Sequence, residues 1–488
     1  MHALQPEEFP MKTLLIQKLT RFVVIALFIT GLVGARVLLR GQGATQGDAV
    51  LPPVRHDPLK ELAMKITQPF TFAAVGDIII RRPIGEGEPG YQTLVKVMRE
   101  ADMTYANMEG PILDEASFRG PLAGGPKSVV DELKRMGVRI MTTANNHTLD
   151  AGLEGMFETH RLLDEAGIVH AGSGKNLADA RQARIAVTPK GTIAAVGMYS
   201  IDASSNNRSR FTDATADMPG LNPLHVTPYN VVTAEHMQAL KKIRDAIYAR
   251  SPEVRVPVAP VAVDEPAGRL RLFQTAFKVG PRPGDLTYEM DPTDLKGIIT
   301  SVRVGKQLAD FLVVAIHCHQ NSFAFQAYSQ DHQTPDFLIE LAHQVIDNGA
   351  DAFVGHGVHT LRGVEIYKGK PIFYGVSSFF YHRGAAQEVT DPSSGPGIGV
   401  NELDDNLETL LTTSRFENGK LVEVRLYPAD LGQDRTRPIS RGGTPSTPSP
   451  EMARRVLEKL QTLSKQFGTT VSIQNGIGVI RVASKQTN

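Results

Sequence analysis

The sequence of 488 residues contains a single cysteine, Cys318, and no tryptophan. One cysteine excludes a disulfide framework within the chain and a zinc site built from several cysteines. The sequence also lacks an excess of charge of either sign, since 52 lysines and arginines balance 52 aspartates and glutamates. Because nucleic-acid binding needs a basic surface that displaces counterions, we expect no nucleic-acid partner.

Long hydrophobic runs are scarce as well. The first charge-free apolar stretch covers 22–35, which is 14 residues, whereas a spanning helix needs roughly 20. Lys18 and Arg21 precede it and small residues close it, as in a secretory signal peptide. An uncleaved membrane anchor that extends past Arg36 to residue 39 fits the same residues. Both interpretations place the main domain in the cell envelope, either anchored to the cytoplasmic membrane with its bulk outside, or secreted or periplasmic.

The rest of the chain predicts an α/β protein. Short apolar strands alternate with amphipathic helices from about residue 70, and the runs 193–199 and 311–316 are apolar enough for strands covered on both faces. The pattern weakens over about 201–298, apart from one helix at 233–249. We interpret that stretch as an insertion over the sheet, a lid or a substrate-side subdomain, with an irregular surface excursion as the alternative.

These features predict three segments. Residues 1–45 form the signal peptide or anchor, 46–434 form the main domain with its insertion, and 435–488 form a linker followed by a helix and a hairpin. Ser128 and Ser449 are the expected N-caps of two helices. Asn-Gly pairs at 418–419 and 475–476 predict two hairpin turns.

Polar residues follow five of the predicted strands. They are Gly76-Asp77, Asn107-Met108-Glu109, Asn145-Asn146-His147, His317-Cys318-His319 and Gly355-His356-Gly357-Val358-His359. Each segment alone is also typical of a turn or of a core histidine. In a parallel α/β sheet, however, the carboxyl ends of the strands share one edge, where sites form. Carboxylates, amides and histidines together are ligands for divalent metals, so the joint pattern predicts a site for one or two ions that activate water.

Motifs of several other hydrolases and of nucleotide-binding proteins are absent. The sequence has no Gly-x-Ser-x-Gly elbow, no P-loop and no His-Glu-x-x-His pair.

At the five strand ends the sequence resembles the bacterial CapA-type capsule synthesis (poly-γ-glutamate synthesis) family, whose fold is similar to calcineurin-like metallophosphoesterases. The family's strand-Gly-Asp is present at 75–77, its Asn-Leu-Glu at 107–109 and its Asn-Asn-His-x-x-Asp-x-Gly at 145–152. The segment 219–224 is similar to a stretch in part of the family. The resemblance covers about 70–380 and implies a layered αββα sheet core with an insertion and a small C-terminal α+β segment.

The resemblance also implies roles for individual residues. It assigns metal ligation of Mn, Fe or Zn, as one or two ions, to Asp77, Glu109, Asn146, His317, His356 and His359. Glu109 would bridge two ions. His147 would be the acid or phosphate-contacting histidine, held near Asp150.

The sequence departs from the family at four places. His-Trp-Gly-x-Glu is replaced by His-Cys-His-Gln-Asn at 317–321, and Gly-His-His-Pro-His by Gly-His-Gly-Val-His at 355–359. Tyr-Ser-Leu-Gly-Asn-Phe is replaced by the residues 374–379, and Ile79 stands where metallophosphoesterases have a histidine. These changes remove expected ligands, and His319 is our hypothesis for a replacement.

The resemblance leaves three functions open. The first is a capsule or poly-γ-glutamate synthesis or export protein that hydrolyses a phosphoester or amide of a cell-surface polymer or its precursor. The second is a non-catalytic, membrane-anchored component of polymer assembly, with membrane proteins of capsule synthesis as partners. The third is a periplasmic phosphatase of the nucleotidase type.

Overall fold

The computed structural model describes residues 61–84, 89–200, 213–254, 266–272, 275–322, 332–382, 408–432 and 442–482. The predicted signal peptide or anchor lies outside these residues, as does the first part of the predicted linker, 435–441. Across the described part of the chain, no helix combines the length and the apolar character needed to cross a membrane.

The described elements are 23 strands and eight helices. The strands are β1 (Phe70–Ile79), β2 (Met103–Met108), β3 (Ile112–Leu113), β4 (Gly125–Pro126), β5 (Val138–Thr142), β6 (Val169–Ala171), β7 (Ser173–Gly174), β8 (Arg184–Thr188), β9 (Gly191–Ser200), β10 (Gly220–Leu221), β11 (Val226–Val232), β12 (Arg269–Leu272), β13 (Thr275–Val279), β14 (Leu286–Met290), β15 (Phe311–Cys318), β16 (Ala352–His356), β17 (Val364–Tyr367), β18 (Lys370–Phe373), β19 (Ser378–Tyr381), β20 (Glu408–Glu417), β21 (Lys420–Asp430), β22 (Ser472–Gln474) and β23 (Ile477–Arg481). The helices are α1 (Pro89–Glu100), α2 (Val129–Arg135), α3 (Gly152–Glu165), α4 (Leu177–Arg181), α5 (Ala234–Val254), α6 (Pro292–Leu308), α7 (Asp336–Asp347) and α8 (Pro450–Lys465).

Two large sheets form the centre of the protein. The first has the order β22-β23-β21-β20-β1-β2-β5-β6, with β19 also paired to β1, and the second has the order β17-β18-β16-β15-β9-β8. In the first sheet β1, β2, β5 and β6 are parallel, and in the second β9, β15, β16 and β18 are parallel. The parallel strands of each sheet therefore end at a common edge.

The two sheets pack face to face. Phe72 of β1 and Tyr105 of β2 lie in the same buried cluster as Phe311 and Val313 of β15, and the Phe72 and Phe311 ring centroids are 5.2 Å apart. Helices α1, α2 and α3 cover the outer face of the first sheet, while α6 and α7 cover that of the second. This αββα order of layers confirms the fold class predicted from the sequence.

Local sequence explains helix α7, which covers the second sheet. Its residues Phe337, Leu341 and Val345, spaced by four, are all buried against that sheet. Gly349 follows the helix with φ of 115°, a left-handed conformation that glycine adopts without steric strain and that ends the helix.

The C-terminal part of the chain is built into the first sheet. Strand β23 pairs with β21, and α8 contributes Val456 and Leu460 to the cluster between the sheets. The Ser449 hydroxyl accepts a hydrogen bond from the Met452 backbone, which confirms the predicted N-cap. The Ser128 prediction is wrong: this residue precedes α2 in a helical conformation, and its side chain makes no capping hydrogen bond.

The stretch 201–298 contains more regular structure than its sequence indicated. Helix α5 lies close to the predicted 233–249, but β11, β12, β13 and β14 form a four-stranded sheet that the sequence analysis did not identify. The strands are short and largely half-buried, and Pro228 interrupts the apolar pattern of β11. The Tyr288 hydroxyl of β14 donates to the Asn321 backbone carbonyl, which ties this sheet to the loop after β15.

Candidate metal centre

The candidate site lies where β1, β2, β15 and β16 end. Asp77 is inside β1, Glu109 follows β2 directly, His317 is the penultimate residue of β15, and His356 is the last residue of β16. All four side chains are buried. The strand ends therefore converge as the sequence predicted, because both sheets direct their carboxyl ends to the same place.

Asp77 is the centre of the cluster. Its Oδ1 lies 3.2 Å from His356 Nδ1 and 3.5 Å from His317 Nδ1, and its Oδ2 lies 3.5 Å from His359 Nδ1. Burial raises the pKa of Asp77, but hydrogen bonds from the three histidines outweigh burial and hold that pKa well below its usual range. The carboxylate is therefore ionised, as metal ligation requires.

Backbone groups fix Asp77 in place. The Gly357 N–H donates to Asp77 Oδ2 over 3.0 Å. Gly76 allows β1 to approach β19 closely, since a Cβ at this position would lie 1.7 Å from the Ser377 carbonyl oxygen. His359 has φ of 56°, an uncommon value for a residue with a side chain, as expected of a residue held in position by its surroundings.

Glu109 is a buried carboxylate without a hydrogen-bond donor. Neither of its oxygens has a partner within the described residues, and its Oε1 lies 3.7 Å from His147 Nε2, 3.7 Å from His359 Nε2 and 4.0 Å from His317 Nε2. Burial and the nearby charge of Asp77 raise its pKa well above the usual range. Buried carboxylates are normally paired or bound to metal.

The histidines direct their ring nitrogens at one another. His317 Nδ1 lies 3.1 Å from His356 Nδ1, and His317 Nε2 lies 3.0 Å from His319 Nε2. Burial lowers the pKa of His317 to about 4, against the opposing effect of Asp77, and burial also lowers the pKa of His319 well below its usual value. Both rings are therefore neutral near pH 7, which is the form that binds metal.

Side chains around the cluster hold its members in position. Asn107 donates to Asp77 Oδ1 over 2.8 Å and accepts from the Thr142 hydroxyl over 3.0 Å. The Tyr105 hydroxyl lies 3.1 Å from His356 Nε2, on the side of the ring away from Asp77. Such contacts orient the ring of a metal-binding histidine.

His147 and Asp150 lie beside the cluster. His147 Nδ1 is 2.8 Å from Asp150 Oδ2, while its Nε2 is directed toward Glu109. The His147 side chain is 24% exposed, so it can contact both the cluster and a molecule from solvent.

The structure brings together five of the six predicted ligands, namely Asp77, Glu109, His317, His356 and His359. The sixth, Asn146, is buried in the loop after β5, and its Oδ1 has no hydrogen-bond partner within the described residues. Ile79 is buried and apolar and offers no ligand atom. His319, by contrast, lies within reach of His317 and Glu109, as the replacement hypothesis requires.

Sequence reasoning gave no site role to Tyr105, Asn107, Thr142 or Ser378. Asn107 stands two residues before Glu109 in a segment that the sequence had already indicated. Ser378, whose hydroxyl lies 2.8 Å from His359 Nδ1, falls within the altered family segment 374–379, to which the sequence gave no role. Tyr105 and Thr142 lie inside strands, and only the packing of the two sheets brings them to His356.

The donor set fits a divalent metal. Three groups of ligand atoms lie within binding distance of one ion: Asp77, His317 and His356; Glu109, His317 and His319; and Asp77, Glu109 and His359. Asp77, Glu109 and His317 each belong to two of these three groups. Carboxylate oxygens together with imidazole nitrogens suit Zn, Fe and Mn. The buried cluster of aspartate, glutamate and histidines could therefore hold a metal ion.

Comparisons with known proteins show the family of this chain. A family model described as bacterial capsule synthesis protein PGA_cap matches residues 71–382, a range that contains every residue of the cluster. An uncharacterized protein of Sinorhizobium fredii is 36% identical over 466 residues, covering 88% of this chain and 96% of the relative. A probable polyglutamine synthesis accessory protein of Mycobacterium tuberculosis is 25% identical over 450 residues, covering 91% and 93%. The PGA biosynthesis protein CapA of Bacillus subtilis is 23% identical over 321 residues, covering 64% and 63%. The chain therefore belongs to the bacterial capsule synthesis family that this model describes.

Proposed function

We propose that this protein is a metal-dependent hydrolase of capsule or poly-γ-glutamate synthesis, which cleaves a phosphoester or amide of a cell-surface polymer or its precursor. The observation that carries the proposal is the Glu109 carboxylate, which is buried among histidines and has no hydrogen-bond donor to either oxygen among the described residues. A bound cation would offset the cost of burying its charge. The names of the relatives from Bacillus subtilis and Mycobacterium tuberculosis supply the polymer.

Asp77, Glu109, His317, His356 and His359 would hold the ion or ions. Asn146, the sixth ligand that the resemblance implies, and His319, the proposed replacement, would complete the ligand set for two ions. A bound divalent ion would polarise the scissile group and make water a stronger nucleophile. The two carboxylates would balance most of the charge of one ion, and the burial of the cluster would exclude competing water from it.

His147 would act as the general acid. Its Nδ1–H donates to Asp150, an arrangement that fixes the ring and leaves Nε2 facing the cluster. As the water oxygen bonds to phosphorus, the bond to the leaving oxygen breaks; at an amide the water oxygen first adds to the carbonyl carbon, and the bond to the leaving nitrogen breaks next. The proton on His147 Nε2 passes to the leaving atom, and the proton released by the attacking water returns to His147.

We place this activity at the cell envelope, with the predicted N-terminal segment as signal or anchor. The cell-surface polymer or its precursor would be the substrate, and membrane proteins of capsule synthesis would be neighbours in the assembly. The altered segments 317–321 and 355–359 favour one alternative, a non-catalytic, membrane-anchored assembly component that retains the metal site.

Metal analysis and turnover of two variants test the proposal. We expect near-stoichiometric Mn, Fe or Zn in the full-length protein by elemental analysis, and loss of that metal in His356→Ala. His236→Ala is a matched control, because His236 is exposed on α5, away from the cluster. His147→Ala is expected to keep the metal and lose turnover in a screen of phosphoesters, nucleotides and γ-glutamyl amides.

Each alternative predicts a different result. Absence of metal after reconstitution would refute the hydrolase. Bound metal without turnover, together with normal polymer export by His147→Ala cells, would identify the assembly component. Turnover confined to nucleotides would identify the phosphatase of the nucleotidase type.

A further inference from the structure

His319 stands just beyond the strand that carries its neighbour His317. Strand β15 ends at Cys318, which is paired with Ser200 of β9, and His319 Nε2 lies 3.0 Å from His317 Nε2. A metal site needs each ligand to be held within about 0.5 Å of its productive position. Because the pairing of β15 ends at Cys318, contacts from other elements must fix the segment 319–321, which we call the His319 loop.

Two contacts from the second sheet and its loops hold the middle of the His319 loop. Arg362, which is completely buried, donates from Nη2 to the Gln320 carbonyl over 2.8 Å. The Gln320 side chain is buried as well, and its Nε2 donates to the Ser200 hydroxyl over 3.1 Å. Gln320 is therefore fixed through both its backbone and its side chain.

The third contact comes from the four-stranded sheet of β11–β14. The Tyr288 hydroxyl of β14 donates to the Asn321 carbonyl over 2.9 Å. Tyr288 is itself buried, its N–H donates to Asp336 Oδ1 over 3.1 Å, and its ring packs on Phe337 with centroids 5.3 Å apart. Asp336 and Phe337 are the first residues of α7, which covers the second sheet. The position of Tyr288 is therefore set by α7, independently of the loop that its hydroxyl contacts.

We propose that Tyr288 is a positioning residue for His319. By donating to the Asn321 carbonyl, the Tyr288 hydroxyl holds the His319 loop in place. The His319 ring then stays directed at Glu109 and His317, with which it forms one of the groups of ligand atoms that can hold an ion. This inference rests on the metal site of the proposed function, and it deepens that proposal by giving the β11–β14 sheet a role in metal binding.

The expected effect is specific to one group of ligand atoms. His319 belongs only to the group with Glu109 and His317, whereas the group of Asp77, His317 and His356 consists of residues inside strands. Contacts that orient a ligand typically change metal affinity by about 10- to 100-fold. Loss of the Tyr288 hydroxyl should therefore weaken the ion at the first group and leave the ion at the second group as it is.

Metal titrations of the full-length protein test this role. Protein stripped with chelator is titrated with Mn²⁺ by calorimetry and with Co²⁺ by visible absorption, for wild type, Tyr288→Phe, His319→Ala and the double variant. Tyr288→Phe removes only the hydroxyl and keeps the ring that packs on Phe337, and its thermal midpoint in chelator checks that it folds. We expect Tyr288→Phe to bind one ion about 10- to 100-fold more weakly than wild type and to change the Co²⁺ spectrum.

Two comparisons separate positioning from a general loss of stability. Tyr91→Phe is the matched control, because Tyr91 is another buried tyrosine, whose hydroxyl contacts Glu132 at the outer face of the first sheet. It should bind metal as wild type does. In the His319→Ala background Tyr288→Phe should have no further effect on metal affinity, because the residue through which Tyr288 acts is then absent.

The results separate the role of Tyr288 from the proposed hydrolase. The role is overturned if Tyr288→Phe binds metal as wild type does, if His319→Ala leaves metal binding unchanged, or if Tyr288→Phe weakens binding by the same factor with and without His319. Turnover by wild type together with any of these results overturns the role of Tyr288 alone. Bound metal without turnover, together with the expected effects of Tyr288→Phe, refutes the hydrolase alone. A wild type that binds no metal refutes both.

Discussion

Replacing Glu109 by glutamine is expected to stabilise the metal-free protein, even though it removes a central residue of the site. Both carboxylate oxygens lack a hydrogen-bond donor among the described residues, the nearest histidine nitrogens are 3.7 Å away, and Asp77 adds a second negative charge. A buried group left unsatisfied costs about 1–3 kcal/mol. We therefore expect Glu109→Gln to raise the free energy of unfolding in chelator by about that amount at pH 8.

The pH dependence of the free energy of unfolding tests whether ionisation of Glu109 causes this difference. The pKa of Glu109 in the folded protein lies well above the 4.5 of an unperturbed glutamate. The folded state therefore holds its proton more tightly than the unfolded state, and the resulting stability is present below pH 4.5 and lost as the pH rises through the folded-state pKa. The advantage of Glu109→Gln should thus be absent at pH 4 and grow toward pH 8.

Bound metal should make wild type more stable than Glu109→Gln, the reverse of their order in chelator. An ion at 100 times its dissociation constant stabilises the folded state by about 2.7 kcal/mol, and glutamine cannot replace the anionic ligand. Denaturant unfolding with chelator and with Mn²⁺ measures both effects. Glu408→Gln is the contrasting control, since this buried carboxylate pairs with Arg455 and Lys459 and should lose stability under both conditions. The reasoning fails if Glu109→Gln is less stable than wild type in chelator, or if Mn²⁺ stabilises both equally.

Three further predictions concern the scaffold around the site. Asp351 is completely buried and accepts a hydrogen bond from the buried Lys306 over 2.7 Å. Asp351→Ala should lower the free energy of unfolding by about 3–5 kcal/mol because Lys306 is left unpaired. Denaturant unfolding measures this loss, with the double variant Lys306→Met/Asp351→Leu for comparison. Hydrogen bonds that His225 donates to the carboxylates of Asp213 and Asp294 raise the pKa of His225 to about 10, so its stabilisation, about 1 kcal/mol for a half-exposed ion pair, is full below pH 6.5 and lost as pH rises toward 10. The difference in thermal midpoint between wild type and His225→Ala should shrink over that range, and a constant difference would contradict this prediction. Ser449→Ala should cost about 1 kcal/mol by removing the cap of α8, whereas Ser128→Ala, with no cap to lose, should leave the midpoint of unfolding unchanged.

The parallel core was predictable because its sequence is locally unambiguous. In β15 all eight residues are buried. A strand that is covered on both faces has an uninterrupted apolar sequence, which distinguishes it from a strand with one face in water. The insertion sheet was not predictable by this route. Each of its strands leaves residues half-buried, so that Pro228 and the charges around it obscure the alternation.

The sequence predicted the site residues that follow the ends of strands. It did not predict the residues that reach the site only because the two sheets pack against each other. Asp77 and His356 follow from strand ends that share an edge. Tyr105 reaches His356 across the sandwich only because the two sheets pack at this distance, and no local pattern encodes that spacing.

The position of β1 in its sheet has a consequence for the order of folding. β1 carries Asp77, yet its antiparallel neighbour β20 arrives late, with Thr412 hydrogen-bonded to Ala74 across 338 residues of chain. During synthesis this largely buried strand therefore waits, without its antiparallel neighbour, until nearly the whole polypeptide exists. Contacts this distant form slowly, so this part of the core is completed last. A fragment that ends before β20 should accumulate as aggregate instead of as a smaller folded protein.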